Sequence, residues 1–165
     1  MKLAICAAAA AAVLVGTGAW AQEAVVGAAN PDALFHDKDA VKNRNKQAAY
    51  HIEKELLECG EWGRAGEWLT KAYHQHNPNA ASGLDGVVYY FTKVRNVQPT
   101  ACPEKMKTGI VAVVADGDYV TVITPREVKD AKDPSKSYWT TWFDMWRFVD
   151  GKADEHWDPA TKAGG

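Results

Sequence analysis

The stretch Tyr138–Lys152, running on into Glu155-His156-Trp157-Asp158, constrains the fold more than any other part of the chain. Alternating aromatic and polar residues end at Asp150-Gly151, the pair that favours a two-residue hairpin turn. Two long antiparallel strands follow from it. Tyr138, Thr140, Trp142, Asp144 and Trp146 share one face, because successive side chains of a strand point to opposite sides. So aromatic a face has to be covered by other elements. A lone carboxylate among tryptophans is costly to desolvate unless it has a task, which makes Asp144 the first candidate.

The elements that could cover this face lie upstream. Asn30-Pro31-Asp32 has the form of a helix start, with Pro at the first helical position. Val41, Ala48, Ala49, Ile52, Leu56 and Cys59 keep helical spacing, and Gly60 ends that helix. A second short helix is expected over 61–70, with Trp62, Ala65 and Leu69 on one side. A short extended segment over 73–77 closes at Pro78, and a third helix follows over 84–94. Then the period changes. Strands are expected over 109–115, 119–128, 138–149 and 152–158, with Asp116-Gly117-Asp118 as a hairpin turn. Helices followed by antiparallel strands argue for an α+β domain, in which about three helices pack on a strongly curved antiparallel sheet. Such a sheet, closed by helices, forms a cone open at one end, a natural small-molecule pocket.

The ends bound the domain. Met1-Lys2, the apolar run Leu3–Val15 and the small-x-small triplet Ala19-Trp20-Ala21 fit a secretory signal peptide over 1–21, cleaved near Ala21. Residues 22–40 are expected to form a leader and the start of the first helix, 41–160 the domain, and 161–165 a loose tail. The expected location is periplasmic or secreted, with no membrane attachment after cleavage. Without Lys2 the chain has 18 basic residues against 21 acidic, and no basic stripe, so nucleic acid and anionic membranes are poor partners. Export leaves Cys59 and Cys102, an even pair that invites a disulfide. The alternative is two free thiols too far apart to meet. If bridged, the loop would contribute about 3–4 kcal/mol in the chain-entropy model.

Asn45-Lys46, Tyr73-His74-Gln75-His76-Asn77-Pro78, Trp142-Phe143-Asp144-Met145-Trp146-Arg147-Phe148, Asp150-Gly151-Lys152 and Glu155-His156-Trp157-Asp158 together resemble the SnoaL-like polyketide cyclase group of the nuclear transport factor 2-like superfamily, over residues 43–160. The resemblance implies the cone-shaped fold. It leaves function open, because this superfold hosts isomerases, dehydratases, hydrolases, cyclases, lyases and binding modules. In the ketosteroid isomerases of the superfamily, an oxyanion-binding acid lies three residues before an Arg-Phe pair, as Asp144 lies before Arg147-Phe148. Their cavity aromatic on the last strand corresponds to Trp157. Their general base precedes a proline, where this chain has Asn77 with His76 beside it. Their helical tyrosine falls at Glu53. Two of three catalytic positions therefore differ, and steroid isomerisation by that mechanism is not expected.

The candidate catalytic residues are Asp144, His76 and Glu53. Burial in an aromatic wall favours a protonated carboxyl, which can serve as acid, base or neutral donor to an oxyanion. A histidine at the mouth suits proton transfer. Glu53 flanks the apolar stripe of the first helix. Trp142, Trp146, Trp157, Tyr138, Asn77, Glu155, His156 and Tyr50 are candidate substrate contacts. An unbulged hairpin would set Asp144 opposite Trp157 and Trp146 opposite Glu155. His156 would then face the other side, and a bulge would reverse that. His74 and His76 alternate onto one face, but no third ligand stands at matching spacing, and the resemblance implies a family that usually works without metal. No metal and no cofactor are expected. The leading expectation is an exported enzyme doing cofactor-independent acid–base chemistry on a hydrophobic oxygenated molecule. That covers aldol-type cyclisation or cleavage, dehydration and isomerisation. The alternatives are a periplasmic binding module for a hydrophobic ligand and a structural homodimer that uses the open sheet face.

Overall fold

The computed structural model describes residues 23–162. The expected signal peptide and the last residues of the expected tail lie outside them. Helix α1 spans Ala40–His51 and runs on without a break into a π-helical segment, Ile52–Glu58. Asp39 caps it, its carboxylate accepting from the N–H groups of Val41 and Lys42 (both 2.9 Å). The expected apolar stripe is present in Ala48, Ala49, Ile52, Leu56 and Cys59, all buried, but Val41 is exposed. Widening to π geometry carries Glu53 inward, and it is buried with Ile52 and Leu56.

Two expected helices are revised. Residues 61–70 form a 3₁₀ segment, Trp62–Glu67, followed by strand β1, Leu69–Gln75. The strand starts early because Leu69 pairs with Ala153 of the last strand, a tertiary pairing that overrides local helical spacing. The third helix is α2, Leu84–Tyr89, extended by a π segment, Tyr90–Val94. The expected helix start at Pro31 is a single 3₁₀ turn, Asp32–Phe35, which buries Phe35 completely against the domain. Among the described residues, no helix is long and apolar enough to cross a membrane.

The remaining strands are β2 (Ala112–Asp116), β3 (Tyr119–Lys129), β4 (Ser137–Val149) and β5 (Lys152–Trp157). They form one curved sheet of order β1-β5-β4-β3-β2. It is mixed rather than antiparallel throughout, because β1 runs parallel to β5. The Asp150-Gly151 turn is as expected: both residues have positive φ (49° and 79°), and Val149 pairs with Lys152. Cys59 and Cys102 are bridged, with Cα atoms 5.3 Å apart. The bridge ties the end of the π segment to the loop before β2.

The expected register of β4 and β5 is also revised. Phe148 pairs with Ala153 but Arg147 pairs with Glu155, so Asp154 is the extra residue of a β-bulge. Two polar anchors hold the bulge. Asp154 accepts from Thr70 Oγ1 (2.8 Å) and from Arg147 Nη2 (2.6 Å), while Glu155 accepts from Arg147 Nε (3.1 Å). One guanidinium thus takes two consecutive carboxylates, which a regular strand would send to opposite faces. Beyond the bulge Trp146 lies opposite His156 and Met145 opposite Trp157. His156 therefore joins the concave face, and Glu155 and Trp157 move to the outer one.

Candidate active site

The concave face and the helices enclose a cavity of about 610 Å³. Its walls are apolar and aromatic: Ile52 and Leu57 of the π segment, Trp62 stacked on Phe91 (3.7 Å), Val87, Trp142 and Trp146. Alternation along β1 brings Tyr73 and Gln75 into it, and Asn77 continues that face. Pro159, Ala160 and Thr161 border it too. They are pinned, since Ala160 N–H donates to Asp158 Oδ1 (2.8 Å) and Asn79 Nδ2 to the Thr161 carbonyl (2.9 Å).

At its centre Asp144 and His156 are in contact. Asp144 Oδ1 accepts from Trp142 Nε1 (3.2 Å) and lies 3.0 Å from His156 Nε2. Both side chains are nearly buried. The other imidazole nitrogen, Nδ1, lies 2.8 Å from Gln75 Oε1. That Gln75 atom also accepts the backbone N–H of Asn77 (3.0 Å), which fixes it as the oxygen. His156 Nδ1 must therefore carry a hydrogen. A neutral imidazole would then point a lone pair from Nε2 at Asp144. One proton must lie between Nε2 and Oδ1, held as imidazolium–carboxylate or as imidazole–carboxylic acid. Asp144 Oδ2 has no hydrogen-bond partner among the described residues and remains for a ligand.

Three further groups complete the electrostatics. Asp158 Oδ2 lies 4.0 Å from His156 Nδ1 and accepts from Asn77 Nδ2 (2.7 Å). The Tyr73 hydroxyl accepts from Trp146 Nε1 (3.3 Å), leaving its own hydrogen to donate. Burial, reinforced by the Asp144 and Asp158 charges, pushes this phenol upward, so it stays protonated. Glu53 is held well above the usual carboxylate range by burial first and then by the charges of Asp144 and Glu58. Its Oε1 is buried without a hydrogen-bond partner.

Of the candidates named from sequence, Asp144, Trp142, Trp146, Asn77 and His156 line the cavity. Glu53 sits behind the wall, coupled to Asp144 by charge. His76 and Glu155 are paired on the outer face (2.8 Å), with Trp157 stacked on His76 (5.1 Å). They stand outside the cavity because β1 parity and the β5 bulge turn them away. Tyr138 is exposed near the start of β4, and the Tyr50 hydroxyl accepts from Lys54 Nζ (2.9 Å). Neither lines the cavity. Sequence reasoning missed Tyr73, Gln75 and Asp158. The signal for the first two was present, since Tyr73, Gln75 and Asn77 alternate with the histidines.

Among the described residues one trio could hold a metal ion: Asp144, His156 and Asp158, with ligand atoms within 4.8 Å of one another. Both His156 nitrogens already have hydrogen-bond partners there. A single ion would have to displace one of them.

The sequence matches the SnoaL-like domain over residues 52–156. No curated protein matches it. Among solved structures, a protein described as a SnoaL-like polyketide cyclase from Jannaschia sp. CCS1 superposes with TM-score 0.53 at 14% identity, covering 75% of this chain and 91% of that one. A protein described as a polyketide cyclase from Bacillus cereus ATCC 10987 gives 0.51 at 18% identity, covering 71% and 74%. Another so described, from Acidithiobacillus ferrooxidans, gives 0.50 at 16% identity, covering 70% and 86%. At these identities the likeness concerns the fold.

Proposed function

The chain belongs to the SnoaL-like domain family, a small-molecule-processing fold, and we propose that it is an exported enzyme of cofactor-independent acid–base chemistry on a hydrophobic, oxygenated substrate. The observation that carries this reading is the Asp144–His156 pair, 3.0 Å apart, inside an aromatic cavity. Asp144 Oδ2 takes a proton from the carbon next to a substrate carbonyl. The Tyr73 O–H donates to the oxygen on which charge develops. His156, anchored by Gln75, keeps its hydrogen bond on Oδ1 and so holds the carboxyl in place, and Oδ2 returns the proton it has taken to the substrate. Aldol-type cyclisation or cleavage, dehydration and isomerisation all draw on this set.

Export is supported by the N-terminal pattern and by the Cys59–Cys102 bridge, which suits an oxidising compartment. N-terminal sequencing of the protein from the periplasmic fraction should begin near Gln22. An intact Met1 there would contradict it.

The chemistry is tested in deuterium oxide, with the compound that co-purifies with the protein from its native host. The enzyme should place deuterium on the carbon next to the carbonyl, and Asp144→Asn should not. A binding module would leave the compound unlabelled in both proteins.

A further inference from the structure

We propose that the cavity selects a substrate carrying a planar anionic group, a carboxylate attached to an aromatic or conjugated body, held at the mouth by Arg126 and Arg95. The inference deepens the functional reading above and rests on the same cavity.

Arg64 is held by Glu55, Glu61 and Glu67, and Arg147 by Asp154 and Glu155. Arg95 and Arg126 line the cavity instead, and no ion pair or hydrogen bond joins either guanidinium to another described residue. Arg95 follows the π segment that ends at Val94. Arg126 lies on β3 opposite Thr140 and shares the concave face with Val120, Val122 and Thr124.

Arg126 is also positioned. Its guanidinium stacks 4.0 Å above the ring of Trp142. Contact with the ring restrains the guanidinium while its N–H groups keep no hydrogen-bond partner among the described residues, and such a fork can meet a carboxylate with two parallel hydrogen bonds. The same Trp142 donates its indole N–H to Asp144. One side chain thus links the anion anchor to the proton-transfer pair, and sets the spacing between the acidic group of a substrate and its reacting carbon.

The polarity of the cavity fits this assignment. Asp144 and Asp158 flank His156 at the centre, so an anionic group is repelled there and attracted at the rim. A substrate with one acidic end would enter in a single orientation, apolar body against Trp142 and Trp146.

The test compares 2-naphthoate with 2-naphthamide, flat probes of nearly equal size that differ in charge, by calorimetric titration. Wild type should bind the naphthoate about tenfold more tightly, and raising salt from about 20 mM to about 500 mM should erase most of that preference. The Arg95→Gln, Arg126→Gln double variant should bind both alike, with its melting temperature unchanged. Arg126→Lys should fall between, because the point charge remains without the fork. Equal affinity in wild type, failure of naphthoate to bind, or a preference that survives in the double variant would overturn the proposal. In Asp144→Asn the preference should persist. An inert Asp144 would therefore remove the catalytic reading while leaving this one standing.

Discussion

The two faces of the sheet carry the same chemical pair in different surroundings. On the outer face His76 meets Glu155 at 2.8 Å, and on the inner face His156 meets Asp144 at 3.0 Å. The distances are alike. The outer histidine side chain is 50% exposed, whereas the inner one is 8% exposed. The outer carboxylate is held below its ordinary value, by the hydrogen bond from His76 first and then by Arg147, as expected for a solvated, neutralised charge. Among the described residues no lysine or arginine is bonded to the inner pair. It is bounded by Asp158, by Tyr73 and Glu53, both shifted upward by burial, and by tryptophan rings. A contact distance therefore says little about function. Water, competing charges and a cavity for a ligand make the difference.

The largest effect is expected on turnover. His156→Gln should lower kcat on the co-purifying compound by about a hundredfold or more, whereas His76→Gln should change it less than about threefold. Equal losses would erase the distinction. Stability comes next. His156→Ala leaves Asp144 Oδ1 and Gln75 Oε1 short of a partner in the interior, and should cost about 1–3 kcal/mol in urea unfolding. His76→Ala should leave the urea midpoint in place, since an exposed pair contributes little.

The pH dependence of stability separates the faces again, with opposite signs. Glu53 titrates above its unfolded value, so the native state holds a proton that the unfolded chain releases. Its contribution is present below the unfolded value and is lost as pH rises toward the folded one. Glu53→Gln should remove that slope, gaining stability at pH 8 and nothing near pH 4. A variant that parallels wild type across this range would place Glu53 in contact with water. The smallest effect is on the outer face. Glu155 titrates below its unfolded value, so its contribution is present above that value and is lost as pH falls. Glu155→Gln should only flatten the acid limb of the unfolding curve.

The legible parts of this chain follow from period. The β4 alternation, the Asp150-Gly151 turn and the buried stripe from Ala48 to Cys59 could be read directly, because each repeats over several residues. What could not be read depends on single events. One extra residue, Asp154, inverts β5 and exchanges Glu155 and Trp157 for His156 at the cavity. The cause is a tertiary contact, Arg147 gathering two carboxylates while Thr70 holds one of them, and no local pattern encodes it. The same holds for Leu69, drawn into a strand by Ala153, and for the π segment that turns Glu53 inward. On β1 the alternation was visible, but two histidines drew the reading to the wrong parity. The tyrosine, glutamine and asparagine between and beside them face the ligand space.

The catalysis proposed for this cavity depends on Asp144 performing chemistry there. Wild type and Asp144→Asn, purified in parallel from the native host and denatured, release their bound small molecules for mass spectrometry. Two different compounds are expected, a product from wild type and its precursor from the variant. The same compound in similar amounts from both would contradict that role.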